Sequence, residues 1–197
     1  SYVRLAATLV LGKSAKATPS LAPKALPALL KAMVDANHHI RSAAARALGE
    51  IAKADPSLAP KTLEVLIKAA GDHHSEVRSA AARALVELAK AAPSLAPQAL
   101  EALLKATRDE NEDVRSAAAR ALGELAKASP SLAPKALEAL LKAAGDPDSD
   151  VREAAARALG ELAKIDPRLA PQALEALLKA AGDSRKDIFG SARSAAA

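Results

Sequence analysis

The stretch SLAPKALEALLKAAGDPDSDVREAAARALGELAKIDP, residues 131–167, decides the fold because the chain repeats it. Four full copies follow one another with few changes, and a partial copy stands at each end. The period is 37 residues and it does not slip. Such self-similarity is typical of stacked repeat architectures, so we interpret the whole chain, 1–197, as a single repeat domain. Its units are residues 1–19, 20–56, 57–93, 94–130, 131–167 and 168–197.

Each full unit predicts two helices. In its first half, Leu137, Leu140 and Leu141 follow the i, i+3, i+4 spacing of one apolar helix face. Its second half carries a second apolar face that includes Val151 and Leu159. A pair of helices cannot bury both faces alone, whereas stacked pairs bury a continuous core. We therefore expect an all-α fold, an α-solenoid of stacked helical hairpins.

Composition and charge exclude several classes of protein. Half of the chain is apolar but only 1% is aromatic, which suits close-packed helices better than sheets. Cysteine is absent, so the sequence offers no disulfide, thiol nucleophile or thiolate-bound metal. No apolar run reaches the ~18 residues of a membrane span, so we expect a soluble protein without a membrane partner. The net charge of +5 comes from interleaved signs, which argues against nucleic-acid binding.

Catalytic chemistry has few candidates. Glycines such as Gly49 and Gly123 are isolated positions within helices, and we interpret them as places of close helix packing rather than as a phosphate loop. The serines have no histidine and aspartate partners that the repeat would bring together for a triad. We therefore expect no enzyme activity, no cofactor and no small-molecule substrate.

The four histidines form two adjacent pairs, His38-His39 and His73-His74, in the loops of neighbouring units. A metal ion between His39 and His73 or His74 is one interpretation, since imidazole is a good zinc ligand. Adjacent side chains on a loop seldom converge, however, and the two pairs occupy different positions of the repeat. We therefore predict polar surface or interface residues and no metal site.

The motif DPDSDVREAAARALG, residues 146–160, resembles the most recognisable part of a HEAT repeat, and it recurs around Val114, Val77 and Ile40. The resemblance covers essentially the whole chain. It implies a scaffold or partner-binding protein whose second helices line a concave face. It also implies a ladder of aspartate–arginine bonds along the stack. The ladder should stop where Phe189 takes the arginine's place, or continue through Arg193 if residues 189–192 are an insertion. The matching residues are Asp35, Asp72, Asp109, Asp146 and Asp183, with Arg4, Arg41, Arg78, Arg115 and Arg152.

The units are unusually uniform, since residues 94–130 and 131–167 differ at only nine positions. This uniformity resembles that of idealised, computationally designed HEAT-like repeats. Residues that depart from the repeat pattern are then candidates for functional residues.

The first helix departs most from the pattern, through apolar substitutions. These are Tyr2 for Asp150, Leu5 for Glu153, Leu9 for Arg157 and Val10 for Ala158. Tyr2, Leu5 and Leu9 form a stripe that is predicted to be polar and solvated elsewhere. The stripe either packs inside its own chain or docks another chain. We favour docking, because exposed apolar patches on soluble proteins mark interfaces.

A second departure lies at the end of the first helix of unit 20–56, where Met33 and Val34 replace the Ala144-Gly145 pair. Gly145 is expected to be a left-handed helix cap, a conformation that is costly for valine. We therefore expect the helix to continue through Val34, and we expect Val34 to make a contact that offsets the change.

Departures at both ends favour a head-to-tail contact between copies, which closes into a ring if the rotation allows. We predict a structural protein that assembles into a small cyclic homo-oligomer of C2 or C3 symmetry, and a two-fold contact through the first helix is the close alternative. The predicted interface residues are Tyr2, Leu5, Leu9, Val10, Met33, Val34, His38, His39, Ile188 and Phe189. The runner-up is a monomeric module that binds protein or peptide through the second-helix face. That face repeats arginine and glutamate four residues apart, as in Arg83 and Glu87, which we expect to pair within each helix, and it has no aromatic anchor.

Overall fold

The computed structural model describes residues 2–180, and all of their regular structure is helical. The helices alternate between a shorter first helix and a longer second helix of each unit. They are α1 (Tyr2–Ala17), α2 (Ala22–Ala32), α3 (His38–Ala54), α4 (Ala59–Ala69), α5 (Ser75–Ala91), α6 (Ala96–Ala106), α7 (Glu112–Ala128), α8 (Ala133–Ala143), α9 (Ser149–Ile165) and α10 over residues 170–180. The all-α prediction is confirmed.

The helices form two layers. The second helices α1, α3, α5, α7 and α9 pack on one another in chain order. Each of the first helices α2, α4, α6 and α8 packs between the second helix before it and the second helix of its own unit. The predicted α-solenoid is confirmed, because from α1 to α9 each unit packs on the next one along the stack.

The turns at the helix ends are tighter than the sequence predicts. No residue of 2–180 has a positive φ, so Gly145 is not a left-handed cap, and that expectation is wrong. Instead, the Gly145 N–H donates to the Lys142 carbonyl at 3.1 Å, and the Val34 N–H donates to Lys31 in the same way at 3.2 Å. Because this turn needs no positive φ, valine fits it. Helix α2 therefore ends at Ala32 and does not continue through Val34.

Leucine and alanine fill the core in register. One row of fully buried leucines follows the first helices, and a second row follows the second helices. The rows are Leu29, Leu66, Leu103 and Leu140, and Leu48, Leu85, Leu122 and Leu159. Burial of one such side chain stabilises the fold by about 1.5–3 kcal/mol, so these rows make a large favourable contribution.

Glycines let the second helices approach closely, as the sequence predicts for Gly49 and Gly123. A methyl group added at Gly123 would lie only 2.8 Å from the Cβ of Ala158, and at Gly49 it would lie 3.0 Å from Ala84. In α5 the equivalent position holds Val86, which is buried, so the joint between α5 and α7 accommodates a larger side chain.

An arginine–aspartate ladder joins the loops of neighbouring units. Arg41 donates from Nε and Nη2 to the two carboxylate oxygens of Asp72, both at 2.8 Å. Its Nη1 donates to the carbonyl oxygens of Asp35 at 2.8 Å and Ala36 at 3.1 Å in its own loop. Asp72 also accepts the N–H of His74 at 2.9 Å. The guanidinium group of Arg41 therefore fixes the shape of its own loop and the position of the loop in the next unit.

The same rung recurs along the stack, as the resemblance implies. Arg78 binds Asp109 and Arg115 binds Asp146, each through two hydrogen bonds of 2.7–2.9 Å. The first rung, from Arg4 to Asp35 at 2.9 Å, is more exposed. The expected rung to Asp183 and the expected stop at Phe189 lie outside the described residues.

The ladder lowers the pKa of its carboxyl groups. Burial alone would raise the pKa of Asp146, but the hydrogen bonds from Arg115 and from the Asp148 N–H outweigh it and hold that pKa below 3.8. The pKa of Asp72 is lowered in the same way, against its burial, by Arg41 and the His74 N–H.

We expect Asp146→Asn to weaken the protein and to flatten its acid sensitivity. The folded pKa is depressed, so the rung stabilises the fold above about pH 4 and is lost as the pH falls through the folded value. The substitution should lower the free energy of unfolding at neutral pH by about 1–3 kcal/mol. Urea unfolding between pH 7 and pH 2 measures both effects, with the exposed Asp113→Asn as control. Identical pH profiles for Asp146→Asn and the native chain would show that the ladder contributes nothing.

Alanine substitution should have opposite effects at two equivalent glycines. Gly160→Ala meets no atom within 4 Å and should raise the free energy of unfolding by up to about 1 kcal/mol through helix propensity. Gly123→Ala places a methyl against Ala158 and should lower it by about 1–3 kcal/mol, because α7 and α9 must separate. Equal stabilisation by both changes, measured by thermal unfolding, would contradict the close packing.

Candidate interaction surface

One face of α1 is apolar and exposed. Tyr2 is 88% exposed, Val10 is 59% exposed and Leu9 is 43% exposed, and Val3 lies beside them with most of its surface in solvent. These four residues recur at i, i+1, i+7 and i+8, which places them on one side of the helix. We call them the α1 patch. The sequence reasoning missed Val3, because a valine also stands at the equivalent position 151 and so signals no departure.

The α1 patch combines two kinds of position. The equivalents of Val3 and Val10 in the next unit are Ile40 and Ala47, which are 1% and 5% exposed beneath α1. The equivalents of Leu9 are arginines that face solvent in every later unit. They are Arg46, Arg83, Arg120 and Arg157. In α1, the positions through which units stack on one another, Val3 and Val10, therefore lie next to a position, Leu9, that is charged in the later units.

Leu5 differs from the rest of the predicted stripe. It is half-buried, and the equivalent residues Ser42, Ser79 and Ser116 are buried between second helices. The expectation that this position is solvated elsewhere is therefore wrong. Among the residues equivalent to Leu5, only Glu153 is exposed to solvent.

The other predicted interface residues fall in different places. Met33 is buried in the hydrophobic core, so its side chain fills the stack and is not on the surface. Val34 lies in the turn after α2 and is 78% exposed, so the described chain covers little of the side chain that was expected to make an offsetting contact. Ile188 and Phe189 lie outside the described residues.

A groove runs beside the α1 patch along the second helices, with a volume of about 270 Å³. Leu9 and Gly12 form its floor together with Ala43, Ala47 and Ala84. Charged residues form its rim; they are Lys13, Arg46, Glu50, Arg83 and Glu87.

Lysines, rather than the expected arginines, pair with the glutamates of this face. Glu87 accepts from Lys53 of the preceding second helix at 3.1 Å and from Lys90 at 3.1 Å. The same pairing joins Lys90 to Glu124 at 3.1 Å. The prediction that Arg83 pairs with Glu87 is therefore wrong, because lysines from two helices already hold that carboxylate.

Apolar side chains are also exposed at the other end of the described chain. Leu174 and Leu178 in α10 are each more than half exposed, whereas Leu137, the equivalent of Leu174, is buried. The sequence gives no sign of this, since both leucines obey the repeat.

Histidines and a glutamate meet where α3 and α5 begin. Glu76 Oε2 lies 3.4 Å from His38 Nε2 and 2.9 Å from His39 Nδ1. The ring of His38 stacks on that of His74, with centroids 4.3 Å apart and planes tilted by 17°. Burial, together with the nearby charges of His39 and His74, lowers the pKa of His38 below 6.5. We call His38, His39 and Glu76 the His–Glu cluster.

These stacked hairpins define the class of the protein as an α-solenoid. The sequence profile of HEAT repeats matches residues 1–86, 55–123 and 100–197, and the chain belongs to the HEAT-repeat family. Across residues 2–180, no helix has the length and apolar character needed to cross a bilayer.

Solved structures similar to this chain include two engineered proteins from the Northeast Structural Genomics Consortium. One is 27% identical with a TM-score of 0.59, over 90% of this chain and 78% of that chain. Another is 26% identical with a TM-score of 0.63, over 93% and 84%. A computationally designed armadillo repeat protein for modular peptide recognition shares the fold at 24% identity and a TM-score of 0.58, over 89% and 82%. The comparison with curated proteins found no match.

Leu9→Arg should leave the folded chain as stable as before. Arginine occupies the equivalent position of every later unit, so the free energy of unfolding should change by no more than about 0.5 kcal/mol. The control Leu48→Ala removes a fully buried side chain and should cost about 2–5 kcal/mol. Thermal unfolding at low protein concentration separates these effects from any assembly. A comparable loss for Leu9→Arg would place Leu9 in the core.

Proposed function

We propose that this chain is an idealised structural scaffold that assembles with copies of itself into a small cyclic homo-oligomer. The observation that carries the proposal is the α1 patch, where Tyr2 and Leu9 are apolar although their equivalents in other units are polar or charged. The role is structural, and it involves no enzymatic step.

Burial of the α1 patch against another chain would be energetically favourable. Burial of a valine or leucine side chain stabilises an association by about 1.5–3 kcal/mol before the costs of binding. Tyrosine adds a large ring at a small entropic cost, and it is enriched at interfaces. Lys13 and Arg46 beside the patch supply a charged rim that keeps the separate chain soluble.

A second copy fits the patch better than an unrelated partner. Val3 and Val10 stand where, in every later unit, the side chain packs against another unit of the same repeat. The surface that matches such a face is therefore another repeat unit. Leu174 and Leu178 offer exposed apolar side chains at the opposite end of the described chain, which favours a head-to-tail contact.

The symmetry of the contact sets the number of subunits. A head-to-tail contact makes a ring of three when each step rotates by a third of a turn, whereas α1 packing on α1 makes a two-fold dimer. Both arrangements cover the α1 patch.

The mass in solution tests the proposal. Light scattering coupled to size exclusion should give two or three times 20.1 kDa for the native chain. The double variant Tyr2→Asp, Leu9→Arg should give 20.1 kDa with unchanged helicity. Ile67→Arg is the matched control, since Ile67 is 41% exposed on α4, and it should leave the mass unchanged. A monomeric native chain, or an oligomer that survives the double variant, would rule out assembly through α1.

The groove beside α1 supports a second candidate function, the binding of an extended peptide. Its apolar floor suits a peptide with an apolar side chain. Fluorescence anisotropy with such a peptide tests this function. Saturable binding by a monomer would favour it over assembly.

A further inference from the structure

We propose that the His–Glu cluster binds a divalent transition metal ion, with zinc as the representative ion. His38 Nε2, His39 Nδ1 and one carboxylate oxygen of Glu76 lie within 4.8 Å of one another. Imidazole nitrogen and carboxylate oxygen are zinc ligands, and three protein ligands with a fourth position for water form a common zinc site.

One distance between the ligand atoms already fits a tetrahedral ion, and all three atoms lie within 4.8 Å of one another. Bonds of about 2.0–2.2 Å place the ligand atoms of such a site about 3.3–3.5 Å apart. The His38 Nε2 to Glu76 Oε2 distance is 3.4 Å, which already lies in that range. The His39 Nδ1 to Glu76 Oε2 distance of 2.9 Å is shorter than that range, so these two atoms must move apart when an ion binds between them. Both side chains are about half exposed, so a small rotation opens this distance without disturbing the core.

The backbone holds the ligands in place. His38 and His39 open α3, where the His39 N–H donates to the Asn37 side chain at 2.9 Å. Glu76 lies in the first turn of α5, and the rung from Arg41 to Asp72 ties the loop before α5 to α3. Two loops that belong to different units are thus fixed next to each other before any ion arrives.

Ring packing overcomes the divergence expected of adjacent residues. The centroids of His38 and His39 lie 4.0 Å apart, with planes tilted by 42°, and both residues line the same pocket. His74 stacks on the other side of His38 and holds its ring in place. The pocket around these groups measures about 380 Å³ and is lined by histidines, Ser75 and Glu76, which leaves room for a water ligand.

The charges at the site are compatible with a cation. Two neutral imidazoles and one carboxylate carry a charge of −1, which offsets half of the ion's charge. Arg41 is a nearby cation, with Nη2 at 3.4 Å from Nδ1 of His74, the residue that stacks on His38. Its guanidinium is already paired with Asp72 at 2.8 Å, which screens the site from its charge.

The equivalent contacts between later pairs of second helices do not contain this set of residues. Between α5 and α7 the equivalent residues are Ser75, Glu76 and Asp113, and between α7 and α9 they are Glu112, Asp113 and Asp150. Neither set contains an imidazole. The His–Glu cluster therefore departs from the repeat at one joint of the described stack. All three ligands come from one chain, so the site does not depend on the proposed assembly.

Titration calorimetry with zinc chloride on the full chain tests the site. We expect one ion per chain. Loss of a second-shell group commonly lowers metal affinity about 10–100-fold, so His39→Ala and Glu76→Gln, which each remove a ligand, should lower it at least that much. His73→Ala is the matched control, since His73 lines the same pocket but lies outside the cluster, and it should leave the affinity unchanged. Cobalt(II) should give the visible absorption of a tetrahedral site in the native chain and in His73→Ala, but not in His39→Ala or Glu76→Gln.

Other results would overturn the proposal. No heat of binding, or an equal loss of affinity in His73→Ala and His39→Ala, would indicate scattered surface histidines rather than a built site. One ion per two chains, whatever the mass of the assembly, would show that the three ligands of one chain are insufficient. Circular dichroism of each variant must show native helicity, which is expected because the ligands lie on the surface.

Discussion

A hairpin built from alanine and leucine leaves much of its apolar surface uncovered until another hairpin packs on it. The leucine rows of the two helix layers are buried only because α3, α5, α7 and α9 each have a neighbour. Glycine and alanine at the crossing points bring these helices close, and the arginine–aspartate rungs fix how far each unit is rotated on the next. Burial supplies the stability, while the rungs supply the register, since a bonded guanidinium accepts few alternative positions.

The same constraint explains why α1 is the place to look for function. Its packing face carries Val3 and Val10, and its outer stripe carries Tyr2 and Leu9 instead of the charged residues of later units. The exposure of Val3 and Val10 follows from the position of α1 in the stack, whereas Tyr2 and Leu9 are departures from the repeat sequence. These two departures make the apolar patch wider than stacking requires, and they are the physical basis for proposing assembly.

The fold was predictable because the fixed repeat period and the helical spacing of the apolar residues can both be read directly from the sequence. The ladder was predictable from the family motif, whose aspartate and arginine stand 31 residues apart in neighbouring units. Properties that depend on contacts between units were harder. The burial of Met33, the half-burial of Leu5 and the pairing of Glu87 with two lysines arise from how neighbouring helices cross.

Two local features were missed for different reasons. Gly145 follows the sequence rule for a left-handed cap, but a tight turn without positive φ satisfies the helix end and also admits Val34. The convergence of His38 and His39 on Glu76 could not be read from spacing, because it requires the loops of two units to be joined by the Arg41 rung.

Hydrogen–deuterium exchange at low and high protein concentration tests assembly through α1 most directly. Peptides from α1 should exchange more slowly at high concentration, whereas peptides from α5, which lies within the stack, should exchange at the same rate in both samples. Exchange in α1 that does not depend on concentration would contradict the account, because a helix that docks another copy is protected in proportion to the fraction bound.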